Sequence, residues 1–414
     1  MRLPEHVHFI GIGGAGMAPL AGLLLDRGVK VSGSDLVSSE KSDLLGSRGA
    51  EIFAGHRSEN FPESAGLTVY SSAVPEDNPE RMRGRRLAVP EMRRGEFLAL
   101  FLSSYRRVAA VSGSHGKSTV TAMLSHICTV CGLAPGYMIG AGVRNGSSCA
   151  SGERDDIFIT EADESDATHK LLSPYLGIVP NADGDHAWSV GGREALQENF
   201  RTFARRSQHV ICFDTEKELF SGMGHVTFLP HPGDGYTFAG HCGFMALDAL
   251  LAVESAVYLG CDRSDAERAV SSFGGILRRM TLRSSDARRV VIEDYAHHPC
   301  EVKHSLEYLR LKYPGHHLRV VFQPHRYARL EMFFDGFCSE LKKADSLFVT
   351  SVFAAWSESG KVDGKTLASE CGGHYLTGFR REDAAEVLAL PHGEKPLLIA
   401  VLGAGDVEEI IPYL

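Results

Sequence analysis

The sequence predicts an α/β protein of three domains, each built on a mainly parallel sheet with helices on both faces. Three observations predict it. A chain of 414 residues exceeds what one hydrophobic core of ordinary size organises. Short strand-like runs alternate with helical patterns along its length. Two of these runs close on glycine-rich turns that open directly into a helix, as happens at the carboxyl edge of a parallel sheet. Composition agrees: 43% hydrophobic and 23% charged residues is ordinary globular usage and argues against a disordered or fibrous chain.

The first domain is read over residues 1–105. Its opening strand is His6 to Ile12, followed by a helix through Asp26 and a second strand from Val29 to Ser34. Further strands are expected at Leu67 to Ser71 and Arg86 to Val89. Between the first strand and helix stands Gly11-Ile12-Gly13-Gly14-Ala15-Gly16. Glycines let the backbone turn tightly and approach a pyrophosphate, which then sits on free N–H groups of the helix. Asp35 follows nineteen residues after Gly16, at the end of the next strand, where an acid would meet a ribose or base. This Rossmann-like pattern points to a nucleotide, with NAD, FAD and a UDP-sugar all open.

The second domain, 106–282, begins with a strand from Val108 to Ser112. The helix after it carries Val120, Met123, Leu124, Ile127 and Cys131 on one side, and Ile157 to Thr160 and Leu176 to Val179 continue the sheet. The intervening turn, Gly113-Ser114-His115-Gly116-Lys117-Ser118-Thr119, is a phosphate loop shortened by the presence of Val111 where the strict pattern has glycine. Its N–H groups would cradle a triphosphate, with Lys117 at the β/γ oxygens and Ser118 on Mg²⁺. Such a site beside a separate nucleotide fold implies that ATP is consumed to activate what the first domain holds. The third domain, 283–414, begins after a charged stretch from Arg283 to Arg289 with no apolar period. Strands at Arg289 to Glu293, Leu318 to Phe322, Ser346 to Thr350 and Pro396 to Leu402 alternate there with helices.

Bulk properties narrow the partners. A net charge of −9 with no long basic block argues against a nucleic-acid surface. Met1 to His8 lacks the regions of a signal peptide, and the apolar stretches Leu20 to Leu25 and Phe244 to Val253 are too short or interrupted to span a bilayer. Nine scattered cysteines fit reduced thiols, so a cytoplasmic protein is expected. Cys128 and Cys131 form one CxxC with no second pair, which favours core packing over a zinc site.

In their joint order these motifs resemble the Mur ligase family over nearly the whole chain. The resemblance rests on His8 to Met17, Ser32-Gly33-Ser34-Asp35, Ser71-Ser72-Ala73, Arg93-Arg94-Gly95-Glu96 and the phosphate loop. It continues through Glu161-Ala162-Asp163-Glu164-Ser165-Asp166, Asp294-Tyr295-Ala296-His297-His298-Pro299, Gln323-Pro324-His325-Arg326-Tyr327 and Gly403-Ala404-Gly405-Asp406. It implies a UDP-sugar-binding domain, a central P-loop ATPase and a Rossmann-like C-terminal lid.

The activity implied is ATP- and Mg²⁺-dependent amide formation through an acyl phosphate, adding L-alanine to UDP-N-acetylmuramic acid in peptidoglycan synthesis. A ligase that attaches a whole peptide to the same acceptor, and a silent nucleotide-binding relative, stay as alternatives. Ser165, where the peptide-adding branch usually has tyrosine, favours the first. By the same resemblance Gly11, Gly13, Gly14, Ala15, Gly16, Met17, Asp35, Ser71, Ser72, Ala73 and Arg94 would meet the UDP-sugar, with His297 and Arg329 from the lid. Gly113 to Thr119, Arg279, Asp294 and Tyr295 would meet ATP. Ser118, Glu161 and His186 would hold the metal, and Lys117, Glu161, His186, His325 and Arg326 would serve catalysis. Taken alone, the acidic run after Thr160 reads equally as a solvated loop, and the HHP and PHR motifs as surface polar ones. Two segments depart from the family: its GxHNxxN reads Gly240-His241-Cys242-Gly243-Phe244-Met245, and its GRRF reads Leu277-Arg278-Arg279-Met280. Only 55 residues separate His186 from His241, so the central domain is expected to be trimmed.

Overall fold

A computed structural model describes residues 3–144, 147–164, 166–184, 187, 190–233, 235–354 and 359–414. His186 and Ser165, singled out above, lie outside the described residues. The chain forms two compact units, Met1–Pro232 with Asp248–Gly274, and Gly233–Leu247 with Gly275–Leu414.

The first unit contains two sheets. One is formed by β1 (His6–Ile10), β2 (Lys30–Asp35), β3 (Glu51–Ala54), β4 (Leu67–Tyr70) and β5 (Glu91–Arg93), all parallel in the order β3-β2-β1-β4-β5. Its helices are α1 (Met17–Asp26), α2 (Glu40–Ser47), α3 (Pro79–Arg86) and α4 (Arg94–Leu102). β1 is buried along its whole length, as a central parallel strand covered on both faces must be. α1 is apolar from Leu20 to Leu25, and Pro19 sits in its first turn, where no intrahelical N–H bond is lost. Gly33 is required by close approach: a Cβ there would lie 2.5 Å from the Phe9 carbonyl and 2.7 Å from Ile12 Cδ1.

The other sheet comprises β6 (Arg107–Val111), β7 (Gly136–Met138), β8 (Cys149–Ala150), β9 (Ile157–Glu161), β10 (Leu176–Val179), β11 (His209–Phe213) and β12 (Val226–Leu229). Their order is β12-β11-β10-β6-β9-β7-β8, parallel except for β8. α5 (Lys117–Val130), α6 (Arg193–Arg206), α7 (Phe244–Leu259) and α8 (Arg263–Ser271) accompany it. The chain leaves β6, returns beside it as β9, then crosses to its other flank as β10. That reversal opens a crevice at the carboxyl ends of the three strands.

The second unit holds a small hairpin, β13 (Thr237–Phe238) with β14 (His241–Cys242), and a six-stranded sheet. The sheet consists of β15 (Thr281–Ser285), β16 (Arg289–Asp294), β17 (His317–Phe322), β18 (Ser346–Val349), β19 (His374–Tyr375) and β20 (Leu397–Leu402), ordered β15-β16-β20-β17-β18-β19. Only β15 is antiparallel to its neighbour. Helices α9 (Pro299–Lys312), α10 (Tyr327–Met332), α11 (Phe334–Leu341), α12 (Gly364–Cys371) and α13 (Arg381–Ala389) complete the unit.

Two expected segments differ. Arg86 to Val89 is not a strand but the end of α3 and the turn after it; the strand begins at Glu91. The stretch from Arg283, read as charged with no apolar period and placed before the first strand of its domain, carries the end of β15. That edge strand is solvated from Leu282 onward, so it shows no apolar alternation. Among the described residues no helix is long and apolar enough to cross a membrane.

Candidate active site

The phosphate loop turns off β6 and enters α5 at Gly116, whose φ of +80° belongs to the left-handed region. A Cβ on Gly116 would also come 2.6 Å from the buried Asp248 carboxylate, and one on Gly113 would lie 2.8 Å from the Asn181 carbonyl. Asn181 splints the turn. Its Oδ1 accepts from the His115 N–H at 2.8 Å, its Nδ2 donates to the His115 carbonyl at 3.2 Å, and its own carbonyl accepts from the Ser114 N–H. α5 has no side-chain cap and no acidic residue in its first turn, leaving its N-terminal dipole directed at the loop.

Lys117 is folded back over this turn. Its Nζ donates to the Gly113 carbonyl at 2.6 Å and to Glu164 Oε1 at 3.0 Å. Burial pushes the ammonium down, but Glu164, Asp163 and Glu161 around it hold the charge, and its pKa is raised. Glu164 is fully buried, and burial pushes its carboxyl up to about 7 against the pull of Lys117. Glu161 ends β9, half-buried, and accepts the Gly140 N–H at 2.6 Å. Ser118 and Thr119 follow Lys117 in the first turn of α5.

In the first sheet the glycine loop crosses the carboxyl ends of β1 and β4. Gly11 has φ +83°, and a Cβ there would touch the Ser71 Cβ at 3.2 Å. Asp35 does not reach outward: Oδ2 accepts from Gly13 N and Oδ1 from Leu36 N, both at 2.8 Å, so it clamps the loop. Met17 lies in the core at 1% exposure, its N–H bonded to the Gly14 carbonyl, with Ala15 and Gly16 forming the turn before it. Arg94 packs over Gly16, where a Cβ would meet its Cδ at 2.9 Å, and pairs with Asp166. Ser72, Arg94, Asp166, Thr168 and Lys170 line a cavity of about 750 Å³ within this unit. Ala73 sits beside it, its N–H bonded to Ser71 Oγ.

Beneath the glycine loop runs a buried polar chain that the sequence reading missed. Ser32 Oγ joins His6 Nε2 at 2.9 Å to His8 Nδ1 at 2.8 Å; His8 Nε2 meets Glu80 Oε2 at 2.7 Å; and Glu80 Oε1 takes the Ser34 hydroxyl at 2.7 Å and faces His56 at 3.1 Å. His8 and Glu80 are fully buried. The alternation His6, His8 along β1 was a signal, but nothing local names α3 as the source of the acid.

In the second unit, β16 ends at Asp294. Its carboxylate is taken up internally by Met280 N at 2.8 Å, Ala296 N at 2.9 Å and Ser305 Oγ at 3.2 Å, and burial pushes it up to about 6 despite nearby Arg279. Asp294 therefore holds the turn. Tyr295 carries Arg278 and Arg279 over its ring at 5.0 and 5.3 Å, and Arg279 faces Glu301 at 3.6 Å. His297 and His325, from the ends of β16 and β17, approach with ring centroids 5.6 Å apart. Burial, then His297, Arg329 and Arg326, drive His325 down to about 4, so its neutral Nδ1 accepts from Arg329 Nη1 at 3.2 Å. Arg326 adopts φ +70°, a conformation costly for a residue with a Cβ. The structure thus brings Tyr295, Arg279, His297, His325 and Arg329 together in this unit.

Residues 6–106 match the Mur ligase family, catalytic domain, and residues 278–405 match the Mur ligase, glutamate ligase domain. The UDP-N-acetylmuramate–L-alanine ligase of Aquifex aeolicus is 33% identical, with 97% of this chain and 95% of that one covered. The ligase of the same name from Myxococcus xanthus is also 33% identical, covering 100% and 95%. The chain belongs to the Mur ligase family. The solved UDP-N-acetylmuramate-alanine ligase of Thermotoga maritima superposes at a TM-score of 0.80 and 25% identity over 99% of this chain and 98% of that one. A murein peptide ligase from Psychrobacter arcticus shares the fold at a TM-score of 0.68 and 21% identity, over 98% and 97%.

Against the Mur ligase pattern, the two departing segments have structural roles. In Gly240 to Met245 the chain forms the β13–β14 hairpin and enters α7; Met245 is buried, and Phe244 packs on His304 and Tyr308. In the arginine pair, Arg278 Nη2 donates to the Gly403 and Gly405 carbonyls, both at 2.9 Å, while Arg279 faces Glu301.

Proposed function

We propose that this Mur ligase joins L-alanine to the carboxyl group of UDP-N-acetylmuramic acid, consuming ATP and releasing ADP and phosphate. The observation that carries the reading is the turn at Gly113 to Thr119: two glycines whose Cβ positions are filled, an uncapped helix end, and a lysine held by a buried acid. That is a cradle for a triphosphate with its cation in place. Full-length relatives carrying the L-alanine ligase name support the choice of substrates.

A carboxylate acylates poorly, so phosphate must first be transferred to it; the amine then displaces phosphate from the acyl phosphate. In this reading Lys117, His325 and Arg326 neutralise charge that develops on the transferred group. Arg279 and Tyr295 contact ATP. The loop at Gly11 to Gly16, Ser71 to Ala73 and Arg94 seat the UDP-sugar, with His297 and Arg329 added from the C-terminal domain. Ser118 and Glu161 would offer Mg²⁺ the hard oxygen ligands it prefers and His186 a nitrogen, and the ion when bound would screen the phosphates. A limit near residue 105 would separate the sugar-nucleotide task from the ATP task, and the second unit, Gly233–Leu247 with Gly275–Leu414, would carry the third. These substrates place the proposed reaction in the cytoplasm.

Phosphate release tests this reading. With UDP-N-acetylmuramate, ATP and Mg²⁺, turnover should require L-alanine. Turnover with a tripeptide and none with L-alanine would replace the acceptor assignment, and no turnover with either would leave a nucleotide-binding relative.

A further inference from the structure

The buried chain beneath the glycine loop ends at a ring that the proposed chemistry leaves unused. Glu80 is fully buried, and His8 Nε2 occupies its Oε2 at 2.7 Å. The other carboxylate oxygen takes the Ser34 hydroxyl at 2.7 Å. His56 closes the chain: its Nδ1 stands 2.9 Å from Ser34 Oγ and 3.1 Å from Glu80 Oε1. Among the described residues the opposite nitrogen, Nε2, has no hydrogen-bond partner, and it is not buried; 14% of the side chain reaches solvent.

These contacts decide where the ring keeps its proton. The Ser34 hydrogen is committed to the carboxylate, and a carboxylate only accepts, so neither group can donate to His56. Nδ1 must therefore carry the N–H, and in the neutral ring Nε2 is left as an acceptor. Backbone bonds fix the ring's place. Gly55, at φ +77°, follows β3; its N–H donates to the Asp35 carbonyl at 2.7 Å, and its carbonyl accepts from Asn60 Nδ2 at 2.8 Å. The Ser34 carbonyl in turn holds the N–H groups of Gly11 and Ile12 at 2.8 and 3.0 Å. His56 thus stands at the carboxyl edge of the sheet, beyond β2 from the strand that ends in the glycine loop. In such a fold a diphosphate lies on the loop and the ribose at the end of β2, which carries the base toward β3. Leu36 and Val37, 71% and 75% exposed, follow Asp35 at that edge and offer a base an apolar face.

We propose, on the reading that the first sheet seats a UDP-sugar, that His56 selects the base: its Nε2 accepts the imide N–H of uracil. Uracil presents N3–H between two carbonyls. Cytosine presents a bare N3 at the same position, which would face the Nε2 lone pair. Two acceptors opposed in one contact leave both unsatisfied, so a single ring nitrogen discriminates between bases of equal size. A ring kept only to satisfy Glu80 would confer no such preference.

The test is a calorimetric titration of the full chain with UDP and with CDP at about pH 8, above the ordinary titration of an imidazole. UDP should bind about ten times more tightly than CDP. His56→Ala should weaken UDP by about the same factor and leave CDP within about twofold, because the glycine loop still holds either diphosphate. His56→Gln, which can turn an oxygen or an N–H to the base, should bind both with similar affinity. A long-range proton–nitrogen spectrum of the imidazoles, assigned by comparison with His56→Ala, should show the His56 proton on Nδ1. Equal affinities in the wild type, an equal loss or no loss of both nucleotides in His56→Ala, or a His56 proton on Nε2 alone would each overturn the selectivity while leaving the sheet a nucleotide site. A wild-type chain that bound neither UDP nor CDP would remove the sugar nucleotide itself from this sheet, and the role of His56 with it.

Discussion

Lys117 shows how a single side chain is prepared before any ligand arrives. Its charge is held by buried Glu164 and by the turn's own carbonyls, so a triphosphate exchanges one set of partners for another. The lysine was legible from spacing within seven residues. Its partner Glu164 lies 47 residues away, and the splint Asn181 lies 66 residues from the His115 it holds; both became visible only in three dimensions. Asp35 and Asp294 teach the converse: both sit at strand ends as expected, yet neighbouring N–H groups consume their carboxylates. His169 gives a pH prediction. It is fully buried against Phe200, and burial lowers it from 6.5 to about 4, so the fold favours the neutral ring. Its contribution is whole above pH 6.5 and is lost as pH falls toward 4, about 3 kcal/mol in all. Urea unfolding should show the native protein losing roughly 2 kcal/mol more than His169→Gln between pH 7 and pH 5; equal losses would refute the assignment.

Elements follow local chemistry wherever a buried face repeats. β1, β6 and β10 are apolar runs ending at Gly11, Ser112 and Pro180, and each was found within two residues of its place. β15 and α3 were not: the first faces water and alternates nothing, and the second buries Glu80, Arg81 and Gly84, so its inner face shows no apolar period. For α3 the signal was capping, since the Asn78 side chain accepts from the N–H groups of Glu80 and Arg81, with Pro79 at the first helical position. Close packing between β2 and β1 yields another expectation. Gly33→Ala pushes a methyl against Phe9 and Ile12 and should cost about 1–3 kcal/mol in denaturant unfolding. An unchanged midpoint would mean that the strands part more easily than their contacts imply. Gly116→Ala combines a strained φ with the Asp248 clash, so it should reduce both stability and ATP affinity, the latter read by titration with a fluorescent ATP analogue.

Across the molecule the proposed labour is divided between folds, and that division is testable. Lys117→Ala should abolish phosphate release, a loss of a hundredfold or more. It should keep the rise in melting temperature that UDP-N-acetylmuramate produces, because the sugar nucleotide is assigned to the first sheet. A variant that kept turnover and lost the thermal shift would reverse the two assignments.

Sequence by itself determined the α/β class, the two glycine turns, the family and the type of reaction, because each is written in short-range spacing and in the order of motifs. Tertiary structure decided which acids are spent inside their own turns, which buried carboxylate holds the lysine, and that histidines from β1 form a chain with an acid from α3. Burial and partnership depend on residues far apart in the chain, and no local pattern encodes them.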